Sequence, residues 1–203
     1  MLLYLVRHGQ TESNRKGLAL GRADVPLNEL GRRQAELLRQ ALAKEKLTAV
    51  YSSPLQRTLD TARSIAAPHR LEVRLDERLI EMDIGEAEGL TFAEVRERHP
   101  GLLEGWMSED GPKEPMPGGE RLLDVQERAW AAVEALAAEH GDEAVAAVTH
   151  NFVILSLLTR ALGLELSRFR RLRHVVAAIS VVEFSAGGTT VLRMNDTCHL
   201  ENG

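Results

Sequence analysis

The residues Arg7, His8 and Gly9 directly follow the first apolar run of the chain, residues 2–6. This short run predicts a buried strand, so the triplet stands at the strand's carboxyl end. Ligands of α/β proteins bind at that edge of the sheet. An arginine there can grip an anion with its planar set of donors, and a neutral histidine can act as base or nucleophile. The glycine allows the backbone to come close to a ligand.

Three more chemically active residues follow other apolar runs. Arg57 comes soon after the second predicted strand, Glu81 after the third, and His150 directly after the fourth. The turns that lead from parallel strands into helices lie on the same edge of a sheet, so we expect these residues to converge. Two arginines, two histidines and a carboxylate would form an anion site with a proton donor attached.

The rest of the chain alternates between predicted strands and predicted helices. The strands are residues 2–6, 48–52, 71–75 and 143–149, with a hairpin of 179–184 and 190–194; the helices are residues 28–46, 91–99, 121–140 and 152–162, with one more that starts near Pro54; residues 10–25 and 110–120 are predicted as loops. This order predicts a three-layer α/β/α sandwich with a mostly parallel central sheet. We expect one domain, residues 1–203, in which about 82–120 forms a small cap over the sheet edge.

Composition excludes several classes of protein. The chain has 203 residues and a net charge of −5, which argues against nucleic acid as a partner. No apolar stretch approaches the roughly 20 residues of a membrane span, and the N-terminal run is too short for a signal peptide, so we expect a cytoplasmic location. The single cysteine, Cys198, excludes an intrachain disulfide. The oligomeric state stays open, and a homodimer is one expectation.

Four stretches of the chain resemble the motifs of the histidine phosphatase superfamily, also called the phosphoglycerate mutase-like family. They are Leu5–Asn14, with a similar continuation through Gly21 to Ala35, then Ser52–Thr58, Leu79–Gly89 and Val148–His150. The resemblance covers almost the whole chain, with the motifs in the right order. It implies hydrolysis of small-molecule phosphomonoesters, without a metal or other cofactor.

The resemblance also implies a role for each residue of the predicted site. His8 would take the phosphoryl group as a phosphohistidine, and His150 would donate to the oxygens that gain charge. Glu81 would protonate the leaving alkoxide and then deprotonate the hydrolytic water. The expected catalytic residues are Arg7, His8, Arg57, Glu81 and His150, and the expected substrate-binding residues are Arg7, Asn14, Gly21, Arg57, His150 and Asn151.

Other interpretations of single residues stay open. Arg57 has Asp60 and Glu36 as alternative surface partners. The role of Glu81 is one that a neighbour could share, the neighbours being Glu77, Asp83, Glu86 and Glu88. Two histidines and Glu81 could in principle ligate a metal, but two arginines in the same pocket would repel the cation. Of the other histidines, we expect His69, His99, His140 and His174 at the surface and a structural role for His199.

Two other functions are alternatives to the phosphatase. A cofactor-dependent phosphoglycerate mutase would need a polar residue near Phe152 to hold its second phosphate, and the family often has glycine where this chain has Asn151. A non-catalytic phosphate-binding module would not need the complete catalytic set. The apolar cap residues Trp106, Met107 and Met116 either anchor the cap or contact an organic substrate. The sequence does not name that substrate.

Overall fold

A six-stranded sheet forms the centre of the computed structural model, which describes residues 1–201. The strands are β1 (Leu2–Arg7), β2 (Leu47–Ser52), β3 (Val73–Leu75), β4 (Ala144–Thr149), β5 (Ile179–Ser185) and β6 (Gly188–Asp196). Their order across the sheet is β3-β2-β4-β1-β5-β6. The first four strands pair in parallel, and the β5–β6 hairpin adds two antiparallel strands beside β1. The prediction of a mostly parallel α/β sheet is therefore confirmed.

Within residues 1–201, seven α-helices connect and flank these strands. They are α1 (Glu12–Lys16), α2 (Glu29–Leu42), α3 (Gln56–Ala66), α4 (Phe92–Arg98), α5 (Leu102–Trp106), α6 (Leu122–His140) and α7 (Asn151–Ala161). The five-residue helices α1 and α5 were not predicted, because so short a helix has no apolar period; a capping box between Thr11 and Asn14 starts α1. Helix α2 begins after its predicted N-cap, Asn28, and ends four residues before the predicted boundary.

Alternate residues of β1 pack into two different cores. Leu3 and Leu5 belong to the cluster that also contains residues of α6 and α7. Tyr4 and Val6 belong to the cluster that contains residues of α2 and α3. Since successive side chains of a strand point to opposite faces, the helices cover both faces of the sheet. This confirms the three-layer sandwich.

The parallel register brings the ends of three strands to one edge. Arg7 pairs with Thr149, and Ser52 pairs with Val148. The turn after β1 also packs tightly on the start of α2, because a Cβ added to Gly31 would lie 2.0 Å from the carbonyl oxygen of Gln10. Only glycine permits that approach. The residues that follow β1, β2 and β4 are thus fixed next to one another.

Two histidines expected at the surface are buried. His140 ends α6, where its ring lies 3.0 Å from the Tyr51 hydroxyl and 3.0 Å from the Glu143 carboxylate. His174 hydrogen-bonds the Ser180 hydroxyl at 2.9 Å. Their burial depends on neighbours distant in sequence, so the local pattern around each histidine was misleading.

None of the helices in residues 1–201 is long and apolar enough to cross a membrane. The domain prediction includes residues 202 and 203, which lie outside the described range. One domain with a cap at about 82–120 stays a prediction.

Candidate active site

His8 is buried at the end of β1, and its ring has a defined orientation. Nδ1 lies 2.7 Å from the carbonyl oxygen of Gly9. A carbonyl only accepts, so Nδ1 carries the ring hydrogen and Nε2 keeps its lone pair. Burial, with the charges of Arg57 and Arg7, holds the pKa of His8 well below its usual range. The ring is therefore neutral at pH 7, with Nε2 available as a nucleophile.

Arg7 lies beside His8 and is fixed by two acceptors. Its Nη1 donates to Oδ1 of Asn151 at 2.9 Å and to the carbonyl of His174 at 2.5 Å. Its Nε is buried and has no hydrogen-bond partner within residues 1–201. Burial lowers the pKa of Arg7 to about 10, so the guanidinium remains charged at neutral pH. It can therefore still donate to an anion.

Arg57, at the start of α3, is completely buried. Its Nη1 and Nη2 donate to the carbonyls of Ala23 and Gly21, at 2.8 Å and 2.7 Å, while its buried Nε has no partner in the described part of the chain. The alternative surface pairs are wrong, because Asp60 pairs with Arg63 and Glu36 with Arg39.

The loop that binds Arg57 is itself held by Glu88. The Glu88 carboxylate accepts hydrogen bonds from the backbone N–H groups of Gly21 and Ala23. Gly21 therefore uses both its N–H and its carbonyl within the protein, and it positions Arg57. A direct contact between Gly21 and substrate stays a prediction. A Cβ at this position would lie 2.7 Å from the carbonyl of Met82, so the loop also requires glycine for space.

His150 stands between β4 and α7, with its ring close to that of His8. The two ring centroids are 5.3 Å apart, and the planes meet at 61°. Nε2 lies 2.8 Å from Oγ of Ser53, and Nδ1 is buried without a partner among the described residues. Burial, then the charge of Arg57, lowers the pKa of His150 well below its usual range. Both rings are neutral at pH 7.

Glu81 is buried against the first turn of α7, the helix that directly follows His150. One carboxylate oxygen accepts from the Met82 N–H at 2.9 Å, and the other from the Phe152 N–H at 3.3 Å. Burial raises the pKa of Glu81, although both N–H groups and the charges of Arg57 and Arg7 oppose the rise. A carboxyl with a raised pKa can serve as a general acid near neutral pH.

The other carboxylates near Glu81 have separate contacts. Glu88 binds the loop of Gly21, Asp83 accepts from the Gly85 N–H at 2.9 Å, and Glu86 pairs with His99 at 3.5 Å. Glu77 is exposed. Glu81 is the one of these five that is buried and lines the cavity described below.

Three residues that position Glu81 were missed by sequence reasoning. Arg22 and Arg128 donate to its backbone carbonyl, at 3.3 Å and 3.1 Å. Both arginines also pair with Glu120, at 2.9 Å and 3.2 Å. No motif or spacing in the sequence links these residues. Ser53, by contrast, stands within the second motif, although no role was assigned to it.

Asn14 and Asn151 complete the polar part of the site. The Asn14 amide oxygen accepts from the backbone N–H and the hydroxyl of Thr11, at 3.0 Å each. Its amide nitrogen donates to no group of residues 1–201, so it is available to an anion. Asn151 uses its oxygen to hold Arg7. Both amides border the cavity, beside Arg7.

A cavity of about 180 Å³ opens beside these groups. Arg7, Asn14, Glu81 and Asn151 line one part of it, and the other lining residues are apolar: Leu18, Ala19, Leu20, Ile84, Ala87, Phe92, Val95, Leu103, Trp106, Met116 and Phe152. Trp106 and Met116, singled out in the sequence, are thus part of its wall. Across the described residues, no group of three or more His, Cys, Asp or Glu side chains is placed to hold a metal ion.

The three neutral histidines of this region predict that stability falls in mild acid. His8, His150 and His174 have lowered pKa values, the last about 3, so they take up protons near pH 6.5 only when the chain unfolds. Unfolding is therefore favoured as pH falls below 6.5, by about 1.4 kcal/mol per pH unit for each histidine. Glu81 acts in the opposite direction above pH 4.5, because its raised pKa keeps a proton in the folded state.

The combined effect of the three histidines is larger than the opposite effect of Glu81. We therefore expect the free energy of unfolding to be about 2–4 kcal/mol lower at pH 5.5 than at pH 7. Urea unfolding at both pH values, in buffers without phosphate, measures this difference. Equal stability at the two pH values would contradict neutral, buried imidazoles.

Comparison with known proteins places the chain in a family. The family model for the histidine phosphatase superfamily (branch 1) matches residues 3–197. Phosphoserine phosphatase 1 of Hydrogenobacter thermophilus is 37% identical over 198 residues, covering 98% of this chain and 93% of that protein. A probable phosphoglycerate mutase of Proteus mirabilis is 33% identical over 206 residues, covering 98% and 94%.

The fold agrees with this assignment. The solved structure of Bacillus stearothermophilus YhfR superposes with a TM-score of 0.91, at 32% identity, covering 98% of each chain. The family match includes part or all of each of the six strands and every residue of the site described above. The chain belongs to the histidine phosphatase superfamily and is a hydrolase of phosphomonoesters.

Proposed function

We propose that this enzyme hydrolyses small-molecule phosphomonoesters through a phosphohistidine on Nε2 of His8. The 2.7 Å contact between Nδ1 and the Gly9 carbonyl carries the proposal, because it leaves the Nε2 lone pair free in a buried, neutral ring. Nε2 attacks phosphorus, the P–N bond forms and the P–O bond to the leaving group breaks. Water then attacks phosphorus, the P–N bond breaks and inorganic phosphate leaves.

Buried donors bind the phosphate oxygens in this mechanism. Three buried donor atoms near His8 lack hydrogen-bond partners among the described residues. They are Nε of Arg7, Nε of Arg57 and Nδ1 of His150. The Asn14 amide adds a fourth donor. Fixed donors of this kind stabilise the charge that develops on the transferred group.

Ser53 sets the tautomer of His150. Its Oγ is 3.4 Å from the Leu55 N–H, from which it accepts, and 2.8 Å from Nε2 of His150. The hydroxyl has one hydrogen to donate, and among the described residues Nε2 is the acceptor that Oγ contacts. We infer that the hydroxyl donates to Nε2 and that the ring hydrogen stays on Nδ1. A neutral His150 then donates from Nδ1 to the phosphoryl group.

Glu81 moves the proton in both steps. With its pKa raised by burial, the carboxyl holds a proton that it gives to the leaving alkoxide. The resulting carboxylate takes a proton from the water that attacks the phosphohistidine. Glu81 thereby returns to its starting state.

A mutase is the second candidate, because the Proteus mirabilis relative carries that name. A bisphosphate would bring a second dianion into the cavity, and cations would be needed to bind it. The charged residues that line the cavity are Arg7 and Glu81, and the wall near Phe152 is apolar. Both residues already serve the transferred phosphoryl group, so hydrolysis fits the cavity better. A non-catalytic module would have no use for a neutral His8 with a free Nε2 together with a buried carboxyl whose pKa is raised.

Rates with and without EDTA test the proposal. We expect hydrolysis of p-nitrophenyl phosphate at an unchanged rate in EDTA, since no step uses a metal. With 3-phosphoglycerate, we expect turnover to be slow and to release inorganic phosphate, with or without the bisphosphate activator. Isomerisation that depends on the activator, without hydrolysis, would assign the mutase function, and loss of activity in EDTA would overturn the metal-free mechanism.

Two predictions from the sequence concern the whole protein. A cytoplasmic location stays a proposal, and a homodimer is the proposed assembly. Size-exclusion chromatography with light scattering measures the second.

A further inference from the structure

The cavity beside Glu81 is apolar over most of its wall. Leu20, Ile84, Phe92, Leu103, Trp106 and Phe152 contribute large apolar side chains. Its charged lining residues are Arg7 and Glu81, which the proposed mechanism assigns to the phosphate and the proton transfer. A carboxylate or ammonium group on the leaving alcohol would lose its hydration there without gaining a partner, and that loss is costly.

Aromatic side chains fix the shape of this wall. The ring centroids of Trp106 and Phe152 are 5.3 Å apart and the two ring planes are nearly perpendicular. The ring of Phe169 lies 5.3 Å from that of Trp106 and 6.3 Å from that of Phe152, between centroids. Arg170 stacks over Phe169 and donates to the Trp106 carbonyl at 2.8 Å. The wall is therefore held in place before a substrate binds. The cavity of about 180 Å³ slightly exceeds the roughly 150 Å³ in which an apolar cavity binds benzene.

A second, open groove also borders Arg7 and Asn14. It is lined by Gln10, Arg173 and His174 among others, and exposed Arg173 could attract a carboxylate. Glu81 lines the apolar cavity and is not part of the groove's lining. Since Glu81 must reach the leaving oxygen, the leaving group lies in the apolar cavity.

We propose that the preferred substrate is the phosphomonoester of an uncharged, largely apolar alcohol about the size of one aromatic ring. The proposal rests on the phosphatase mechanism given above. It separates this chain from its phosphoserine phosphatase relative, whose substrate by name carries two charged groups on the leaving alcohol.

Three primary alkyl phosphates test the preference, because each leaving alkoxide has to be protonated as it departs. They are 2-phenylethyl phosphate, propyl phosphate and phosphoserine. We expect kcat/KM for 2-phenylethyl phosphate to exceed that for propyl phosphate by about tenfold or more, the gain from burying a phenyl ring. Phosphoserine should be the poorest of the three. A kcat/KM for phosphoserine that equals or exceeds that for 2-phenylethyl phosphate would overturn the proposal. Loss of this phosphoserine activity in Arg173→Ala would strengthen that conclusion.

Variants of the wall give a second test. Trp106→Ala should reduce the ratio of kcat/KM between 2-phenylethyl and propyl phosphate to about threefold or less, and Phe152→Leu should lower it in the same direction. Met107→Ala is the matched control, because Met107 is the next residue, is 56% exposed and does not line the cavity. An unchanged ratio in folded Trp106→Ala and Phe152→Leu would overturn the assignment of this wall.

Binding separates a failure of this proposal from a failure of the mechanism. The non-hydrolysable 2-phenylethylphosphonate should bind more tightly than propylphosphonate by calorimetry, whatever the catalytic rate. If p-nitrophenyl phosphate and all three esters resist hydrolysis while this preference holds, the catalytic mechanism is wrong and the apolar subsite stands. If hydrolysis proceeds and the phosphonates bind equally, the subsite is wrong.

Discussion

His8→Ala is expected to lose about 10⁴-fold or more in kcat for p-nitrophenyl phosphate and to form no phosphoenzyme. Removal of the imidazole removes the only atom that forms the P–N bond in the proposed mechanism, so donors around the phosphate cannot compensate. The measurement is a rapid quench in alkali after mixing with radiolabelled substrate, because a phosphohistidine survives alkali and hydrolyses in acid. Wild-type enzyme should carry an acid-labile label.

His8→Asn refines this test. An asparagine amide can still donate to the Gly9 carbonyl, as Nδ1 of His8 does at 2.7 Å, but it offers no nucleophilic nitrogen. We expect the same loss of label with the local hydrogen bond preserved. His199→Ala is the control, because His199 is partly exposed and contacts the Ala177 carbonyl. Acid-labile label at wild-type level in both His8 variants would place the nucleophile elsewhere, with His150 as the first residue to replace.

The topology made part of this site predictable. Arg7 is the last residue of β1, His150 directly follows β4, and Arg57 comes five positions after the end of β2. The register Arg7–Thr149 and Ser52–Val148 brings those strand ends together. The ends of buried strands can be recognised in a sequence because apolar runs stop abruptly there. The convergence of these three residues therefore needed no knowledge of side-chain contacts.

Glu81 is placed less sharply by this rule. It comes six positions after the end of β3, in an irregular stretch with several other carboxylates nearby. The strand end indicated the region, and the family resemblance selected Glu81 within it. The structure distinguishes it by burial and by the two arginines on its backbone carbonyl. Contacts between residues as distant as Glu81 and Arg128 depend on the tertiary fold, which no local period encodes.

Glu81→Gln is expected to lower kcat for alkyl phosphates by about 10²–10⁴-fold, because glutamine can neither protonate the alkoxide nor deprotonate water. The amide oxygen can still accept from the Met82 N–H, so the fold around it should persist. Glu77→Gln is the matched control, since Glu77 is the exposed neighbour that was an alternative in the sequence. Loss of activity in Glu77→Gln, with Glu81→Gln unchanged, would reverse the assignment.

The leaving group separates the two duties of Glu81. p-Nitrophenolate leaves without protonation, so Glu81→Gln should still phosphorylate His8 rapidly from p-nitrophenyl phosphate. Water attack then lacks its base, and the phosphoenzyme accumulates as a burst of about one p-nitrophenolate per active site, followed by slow turnover. With alkyl phosphates the first step is itself slow, and no burst forms.

The pH dependence of kcat/KM gives an independent test of Glu81 as the general acid. Because burial raises the pKa of Glu81, its proton is present below that pKa and lost as pH rises through it. Wild-type kcat/KM for an alkyl phosphate should therefore fall on the alkaline side, and Glu81→Gln should lose this limb. His8 requires the neutral ring, and its lowered pKa keeps it neutral well below pH 6.5, so its acidic limb lies lower. An alkaline limb that persists in Glu81→Gln would assign the proton to another group.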